Sequence, residues 1–150
     1  MLKIRYAQKR DMTFWLELDN HLSKAGLAKK FQDQQALILT DEEEPVGILR
    51  YQLFWDTIPF CTLLVVNESQ QRKGRGRHFL RLWEAEMRKQ GYGMCMTSTQ
   101  SDESGQHFYR KCGYKDAGGL LMDVPGFEQP LELFFVKPLS IQPQSVESEE

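Results

Sequence analysis

At 150 residues, with 41% hydrophobic and 27% charged side chains, the chain has the length and composition of one globular domain with its own core. A formal net charge of −2 offers no general attraction to nucleic acid or to an anionic membrane, so neither is expected as a partner. Residues 1–20 mix charged and apolar residues in the pattern of neither a signal peptide nor a membrane span, and no later apolar run is long enough to cross a bilayer.

Residues 2–7 alternate as a short strand does. Asp11 is placed to cap a helix whose apolar residues Met12, Trp15, Leu16 and Leu22 recur near helical spacing. Gly26 interrupts that pattern, and a second short helix is predicted around Leu27–Phe31. Residues 36–40 read as a strand, and the acidic run Asp41–Glu44 before Pro45 reads as a solvated turn. Two apolar runs, 46–55 and 58–66, joined through Asp56 and Thr57, give the strongest hairpin signal. Over 76–90, Phe79, Leu80, Leu82, Trp83 and Met87 share one face of an amphipathic helix ended by Gly91, with Arg81, Glu84, Arg88 and Lys89 mostly elsewhere. Residues 92–98 read as a strand. Ser101 is a candidate N-cap for a helix with Asp102 and Glu103 in its first turn and Gly113 at its end. A last strand covers 131–137. The pattern predicts an α/β (α+β) fold in which helices flank a single mixed, mainly antiparallel sheet. It also predicts a single domain over 1–138, with a polar acidic tail at 139–150 too poor in apolar residues to fold alone.

The stretch from Val65 to Arg77 joins an apolar strand to a helix start. Gly74 and Gly76 allow positive φ and close approach to a ligand. Successive N–H groups in such a turn, with the helix N-terminus behind them, form an anion nest. Arg72, Lys73, Arg75 and Arg77 crowd four cations at a helix end that disfavours cations by about 0.3–1 kcal/mol each. A bound anion explains that crowding, and the competing explanation is a solvated basic turn. No G-x-x-x-x-G-K-[ST] motif is present, and no G-x-G-x-x-G follows the first strand.

Gln71-Arg72-Lys73-Gly74-Arg75-Gly76 resembles the Q-x-x-G-x-G element of the GCN5-related N-acetyltransferase (GNAT) superfamily. The strand at 63–66 and the helix at 76–90 look like that family's fourth strand and third helix. Phe108-Tyr109-Arg110-Lys111-Cys112-Gly113-Tyr114 resembles its F-Y-x-x-x-G-F segment, and together these cover about residues 46–137. The resemblance implies a GNAT-like acyl-CoA N-acyltransferase fold and acetyl-CoA, or coenzyme A, as co-substrate. It implies that backbone groups of Leu64, Val65 and Val66 pair with the pantetheine arm, and that Gln71, Arg72, Lys73, Gly74, Arg75, Gly76 and Arg77 hold the pyrophosphate. Tyr109 matches the tyrosine near the thioester sulfur. Asp102 is also implied to contact the cofactor. Two positions depart from the family pattern: Asp102 stands where many members have Asn, and Gly105 where a small Ala is usual.

The reaction implied is attack of a neutral primary amine on the acetyl thioester. A backbone N–H near Val65 or Val66 is available to the oxyanion, and Tyr109 is the candidate acid for the departing thiolate. Glu68, Asp56, Glu17, Asp19 and His21 are the alternatives for a base, each also readable as a surface group. The acceptor is not identified, although Phe14, Trp15, Glu17, Asp19, His21, Phe54, Trp55 and Asp56 are candidates to line its site and would suit an amine with apolar surface. The same aromatics also suit an ordinary core. The alternative of another class is a CoA-binding sensor or subunit without transfer activity. A third reading is a nucleotide-binding protein.

Three widely spaced cysteines, Cys61, Cys95 and Cys112, argue for reduced thiols and a cytoplasmic protein. His21, His78 and His107 show no metal-ligand spacing, so no metal is expected. The apolar last strand, Leu131–Val136, is a candidate either for pairing with a second copy in a homodimer or for finishing the sheet.

Overall fold

The computed structural model describes residues 1–67 and 74–139. Among the described residues seven strands and four α-helices give the α/β class with a mixed, mainly antiparallel sheet. They fall into two compact units: residues 1–52 with 61–83, and residues 53–60 with 84 onward. Among the described residues no helix is long and apolar enough to cross a membrane, and no disulfide joins the three cysteines.

The first unit opens with β1 (Leu2–Tyr6), a 3-10 turn (Lys9–Asp11), α1 (Met12–Leu18) and α2 (Lys24–Gln32). Asp11 stands at the N-cap of α1 as expected, but its side chain makes no bond to that helix. Its carboxylate takes two bonds from Arg5, at 2.7 and 2.8 Å, and one from the Gln8 N–H at 2.7 Å, so it closes the 3-10 turn instead. The helical pattern also breaks earlier than Gly26. α1 stops at Leu18, and Ser23 starts α2 by accepting the Gly26 N–H at 3.0 Å. Strands β2 (Ala36–Asp41) and β3 (Glu44–Phe54) meet through Glu42 and Glu43, both at positive φ (52° and 76°), the two-residue turn whose twist suits a hairpin. β4 (Ile58–Val66) follows, and β1 to β4 lie in sequence order. Trp15, Leu27, Ala36, Ile38 and Ile48 are fully buried and form the core of this unit, with Phe14, Phe31, Leu63 and Val65 packed against it.

A buried ion pair crosses that core. Asp19 ends α1 and is 1% exposed. Arg50 on β3 donates to it at 2.8 Å, the Trp15 indole N–H at 2.9 Å and the His21 N–H at 3.0 Å. Arg50 also reaches Thr62 on β4 at 3.1 Å. Burial by itself would raise the Asp19 carboxyl, but these donors together hold it below the usual carboxylate range.

α3 (Arg75–Lys89) runs from the first unit into the second. Its predicted apolar face is buried at Phe79, Leu80, Trp83 and Met87. Gly91, at φ 98°, ends it with the Gly91 N–H on the Arg88 carbonyl and the Tyr92 N–H on that of Met87, the usual glycine stop. The second unit then holds β5 (Met94–Gln100), α4 (Gly105–Lys111), β6 (Lys115–Leu120) and β7 (Glu132–Pro138), with β7 between β5 and β6 and antiparallel to both. The last strand therefore has a hydrogen-bonded neighbour on each side. It neither finishes the order nor presents an edge to a second copy; β6 stands outside it. Sequence periodicity misses β6 because KDAGGL carries two glycines and two charges and is exposed throughout. Leu139, assigned above to the tail, is fully buried, and its carbonyl accepts from Arg88 at 2.7 Å. Residues 140–150 lie outside the described residues.

Glu84, expected with the surface charges, is 3% exposed. It accepts from the Tyr114 hydroxyl at 2.7 Å and from Lys137 at 2.9 Å, and Lys137 also donates to the Cys112 carbonyl at 2.8 Å. The pair ties α3, the end of α4 and β7 together inside the second unit.

Removing one partner of a buried pair leaves the other charged and unmatched, which costs about 3–5 kcal/mol. Asp19→Ala is expected to lose that much in urea unfolding at pH 7. Because the Asp19 carboxyl titrates lower folded than its unfolded value of about 3.9, its stabilisation is complete above that value and disappears as pH falls below it. The gap between wild type and Asp19→Ala should therefore narrow from pH 7 to pH 3. A gap that is constant with pH would remove the charge from this account.

Candidate active site

In the first unit the residues assigned to coenzyme A stand at the end of β4 and the start of α3. Leu64 and Val65 are half-buried and Val66 is buried. The Asn67 N–H donates to the Val46 carbonyl at 2.7 Å, which keeps the chain beside β3 just past the strand end. Glu68, Gln71, Arg72 and Lys73 lie outside the described residues. The described chain resumes at Gly74, whose φ of 72° is left-handed. Among the described residues nothing lies within 4 Å of where a Cβ on Gly74 would stand. Its carbonyl accepts the His78 N–H at 3.0 Å, so α3 begins directly after it. The N–H groups of the first helical turn, those of Gly76 and Arg77 among them, have no acceptor within the helix. Only Gly74 uses the conformational freedom expected of both glycines; Gly76 has ordinary helical backbone.

The side chains divide. Arg75 donates to Asp41, the last residue of β2, at 2.8 Å, with both side chains about a quarter exposed (22% and 26%). That pair fixes the helix start to the first hairpin and occupies one of the four cations expected at the loop. Arg77 is exposed. With Gly74, His78, Arg81 and Leu82 it surrounds a cavity of about 250 Å³ with no carboxylate among the described residues of its lining. His78 and Arg81 were not assigned to the site from sequence, although Arg81 stands four residues from Arg77 on the same helix face. Like charges at that spacing cost an isolated helix about 0.2–0.5 kcal/mol, and an anion beside them reverses the sign.

Tyr109 and Asp102 belong to the second unit. Tyr109, on α4, is 9% exposed. Its ring lies edge-on to Phe108 at 5.2 Å and to Tyr114 at 5.8 Å, and tilted on Phe135 at 6.0 Å. The helix ends as predicted: Gly113 is at φ 93°, and the Tyr114 N–H reaches the Tyr109 carbonyl at 3.0 Å. Its start does not match. Ser104, not Ser101, is the N-cap, without a side-chain bond. Asp102 is an exposed turn residue ahead of the helix, while Glu103 folds back to accept the Gln100 N–H and the Thr99 hydroxyl, each at 3.0 Å. A Cβ on Gly105 would stand 2.9 Å from that Thr99 hydroxyl, so alanine is not free to occupy this position without moving Thr99.

The other candidates separate by burial. Trp15 and Asp19 are core and bonded to each other. Phe14 packs on that core, Glu17 is exposed, and His21 is 69% exposed with Nδ1 3.5 Å from Asp19. Trp55 and Asp56 form the β3–β4 turn, one residue earlier than expected, both at positive φ (54° and 64°). Burial pushes the Cys95 thiol up to about 12, which suits a core residue hydrogen-bonded to Tyr114 and not a nucleophile.

Residues 32–116 match the family model described as an acetyltransferase (GNAT) domain. The chain belongs to the GNAT acetyltransferase family. Solved structures of similar fold include Ard1 from Thermoplasma volcanium, at 15% identity, with 93% of this chain and 99% of that one covered and a TM-score of 0.76. Ribosomal-protein-S18-alanine N-acetyltransferase from Escherichia coli matches at 18% identity over 96% and 97%, with a TM-score of 0.72. The yncA protein of Salmonella typhimurium, solved with its cofactor acetyl-CoA, matches at 16% identity over 95% and 96%, with a TM-score of 0.75. At these identities the likeness is one of fold, and it extends over both units of this GNAT chain. No curated protein sequence matches it.

Left-handed backbone costs a residue with a Cβ about 1–2 kcal/mol. Gly74→Ala is expected to lower Tm by roughly 2–8 °C, and Gly74→Asn by less, in a thermal melt without ligand. Equal Tm values for wild type and Gly74→Ala would show that the helix start does not depend on this glycine.

Proposed function

We propose that this GNAT protein is an N-acetyltransferase that moves an acetyl group from acetyl-CoA directly to a primary amine. The observation that carries the reading is the start of α3: a left-handed glycine, helix N–H groups without helical acceptors, and Arg77 and Arg81 beside a cavity whose described lining holds no carboxylate. Those features fit a pyrophosphate, because backbone donors and the helix dipole favour anions and arginine adds charged donors at its edge. Leu64, Val65 and Val66 would hold the pantetheine arm, and Gln71 to Arg77 the phosphates, with the Arg75 side chain directed to Asp41. Acetyl-CoA supplies the activated acetyl group. The chain positions it, admits an amine in its neutral form and returns a proton to the sulfur. Tyr109 is the group proposed for that last task, since a phenol hydroxyl can donate its proton to a departing thiolate.

A ligand that binds only the folded state raises Tm. Acetyl-CoA and CoA are expected to do so, and ATP and NAD at the same concentrations are not; the reverse order would replace this reading with a nucleotide site. Tyr109→Phe keeps the ring and removes the hydroxyl. It is expected to lower kcat about 100-fold while leaving the Tm shift with acetyl-CoA intact. Unchanged turnover across pH would exclude the tyrosine as the acid, and binding without transfer to any amine would favour a CoA-binding subunit.

A further inference from the structure

Most carboxylates described so far are answered by a cation: Asp11 by Arg5, Asp19 by Arg50, Asp41 by Arg75, Glu84 by Lys137. Glu132, the first residue of β7, is different. It is half-buried, and its two oxygens accept from neutral donors, Ser98 of β5 at 2.6 Å and Gln129 at 2.8 Å. Among the described residues no cation pairs with it. A carboxylate removed in part from water and oriented by two neutral hydrogen bonds keeps its full charge for a third partner.

The surroundings state what that partner is. Side chains two apart on a strand share a face, so Phe134 stands beside Glu132. From Phe134 a row of rings continues within the same unit. Phe60 stacks on it at 5.8 Å, Phe54 meets Phe60 edge-on at 5.9 Å, and Trp55 lies against Phe54 at 4.8 Å. Trp55 is 77% exposed and sits in a left-handed turn position that favours Gly, Asn or Asp. A bulky apolar residue that is both strained and open to water is costly in the free chain, and such outliers concentrate where ligands bind. Phe135, which carries the Tyr109 ring, points to the opposite face of β7. Glu132 therefore stands on the other side of this strand from the proposed acid.

We infer that Glu132, held by Ser98 and Gln129, receives the acceptor's ammonium and takes its proton before the neutral amine attacks, and that the row of rings beginning at Phe134 binds the acceptor's apolar body. The acceptor class is a primary amine bearing a flat apolar group a short distance from its nitrogen. The carboxylate provides a charge-assisted bond to the ammonium, and the ring faces add both apolar contact and attraction for a cation. This inference rests on the acetyl-transfer reading and names its substrate.

The test measures CoA release by the full chain at saturating acetyl-CoA, with 2-phenylethylamine and n-propylamine as acceptors. Wild type is expected to favour 2-phenylethylamine by about tenfold or more in kcat/KM. Glu132→Gln is expected to raise KM for both amines about 10–100-fold without changing KM for acetyl-CoA, a split that general loss of structure does not produce. Phe134→Ala is expected to abolish the preference while sparing n-propylamine. An unchanged amine KM in Glu132→Gln, or no turnover of 2-phenylethylamine by a protein whose Tm acetyl-CoA raises, overturns the inference. Should acetyl-CoA fail to bind, the acetyl-transfer reading falls by itself. Calorimetry of 2-phenylethylamine then decides the amine site: binding by wild type that Glu132→Gln loses supports it, and absence of binding overturns it.

Discussion

The fold depends on charges that could not be left alone in its interior. Asp19 is almost wholly removed from water, where an unmatched carboxylate is untenable, and the chain answers it with Arg50, the Trp15 indole and a backbone N–H at once. Those contacts join the end of α1 to β3, and Arg50 carries the connection on to β4 through Thr62. The strand that bears Leu64 to Val66 is thus held by a polar lattice within an apolar core. Glu84 serves the second unit in the same way, with Lys137 bridging from it to the Cys112 carbonyl at the end of α4. An apolar core fills volume; these pairs also select which helix end meets which strand, because a displaced partner would leave a buried charge behind.

The elements that were legible in the sequence are those whose signal is local. The glycine stops at Gly91 and Gly113 are backbone requirements that a neighbouring residue cannot override. The apolar face of α3 and both strands of the long hairpin follow from period alone. What stayed hidden is the choice of partner. Glu84 has the residue type of a solvated surface but takes Tyr114 and Lys137 from far along the chain, while Asp11 and Ser101 have the type of a helix cap and are diverted by their near neighbours, Arg5 and Gln8 for the one and a turn ending at Ser104 for the other. β6 has no apolar alternation because both its faces are exposed, and it is a strand only by virtue of pairing with β7. Of the site, the glycine and basic pattern could be read from residues 71–77. The commitment of Arg75 to Asp41 and the addition of His78 and Arg81 needed the helix in place.

That commitment changes how the basic loop is understood. Four cations near one helix end look like a single electrostatic feature in sequence. In the fold, Arg75 is structural, locking the first residue of α3 to the tip of the β2–β3 hairpin, while Arg77 faces outward with Arg81. Under the proposed function, anion binding and helix anchoring fall to alternate residues of the same turn, so the anchoring charge need not move when a ligand arrives or leaves.

The burial of the three tryptophans supplies an optical handle on the molecule. Trp15 and Trp83 are fully shielded, and Trp55 alone among the three is open to solvent. Their emission should separate into a blue component from the two interior indoles and a red, acrylamide-quenchable component from the hairpin turn. The first reports on whether the core is intact and the second on what lies against the β3–β4 turn, so one native fluorophore class distinguishes unfolding from occupancy without any label.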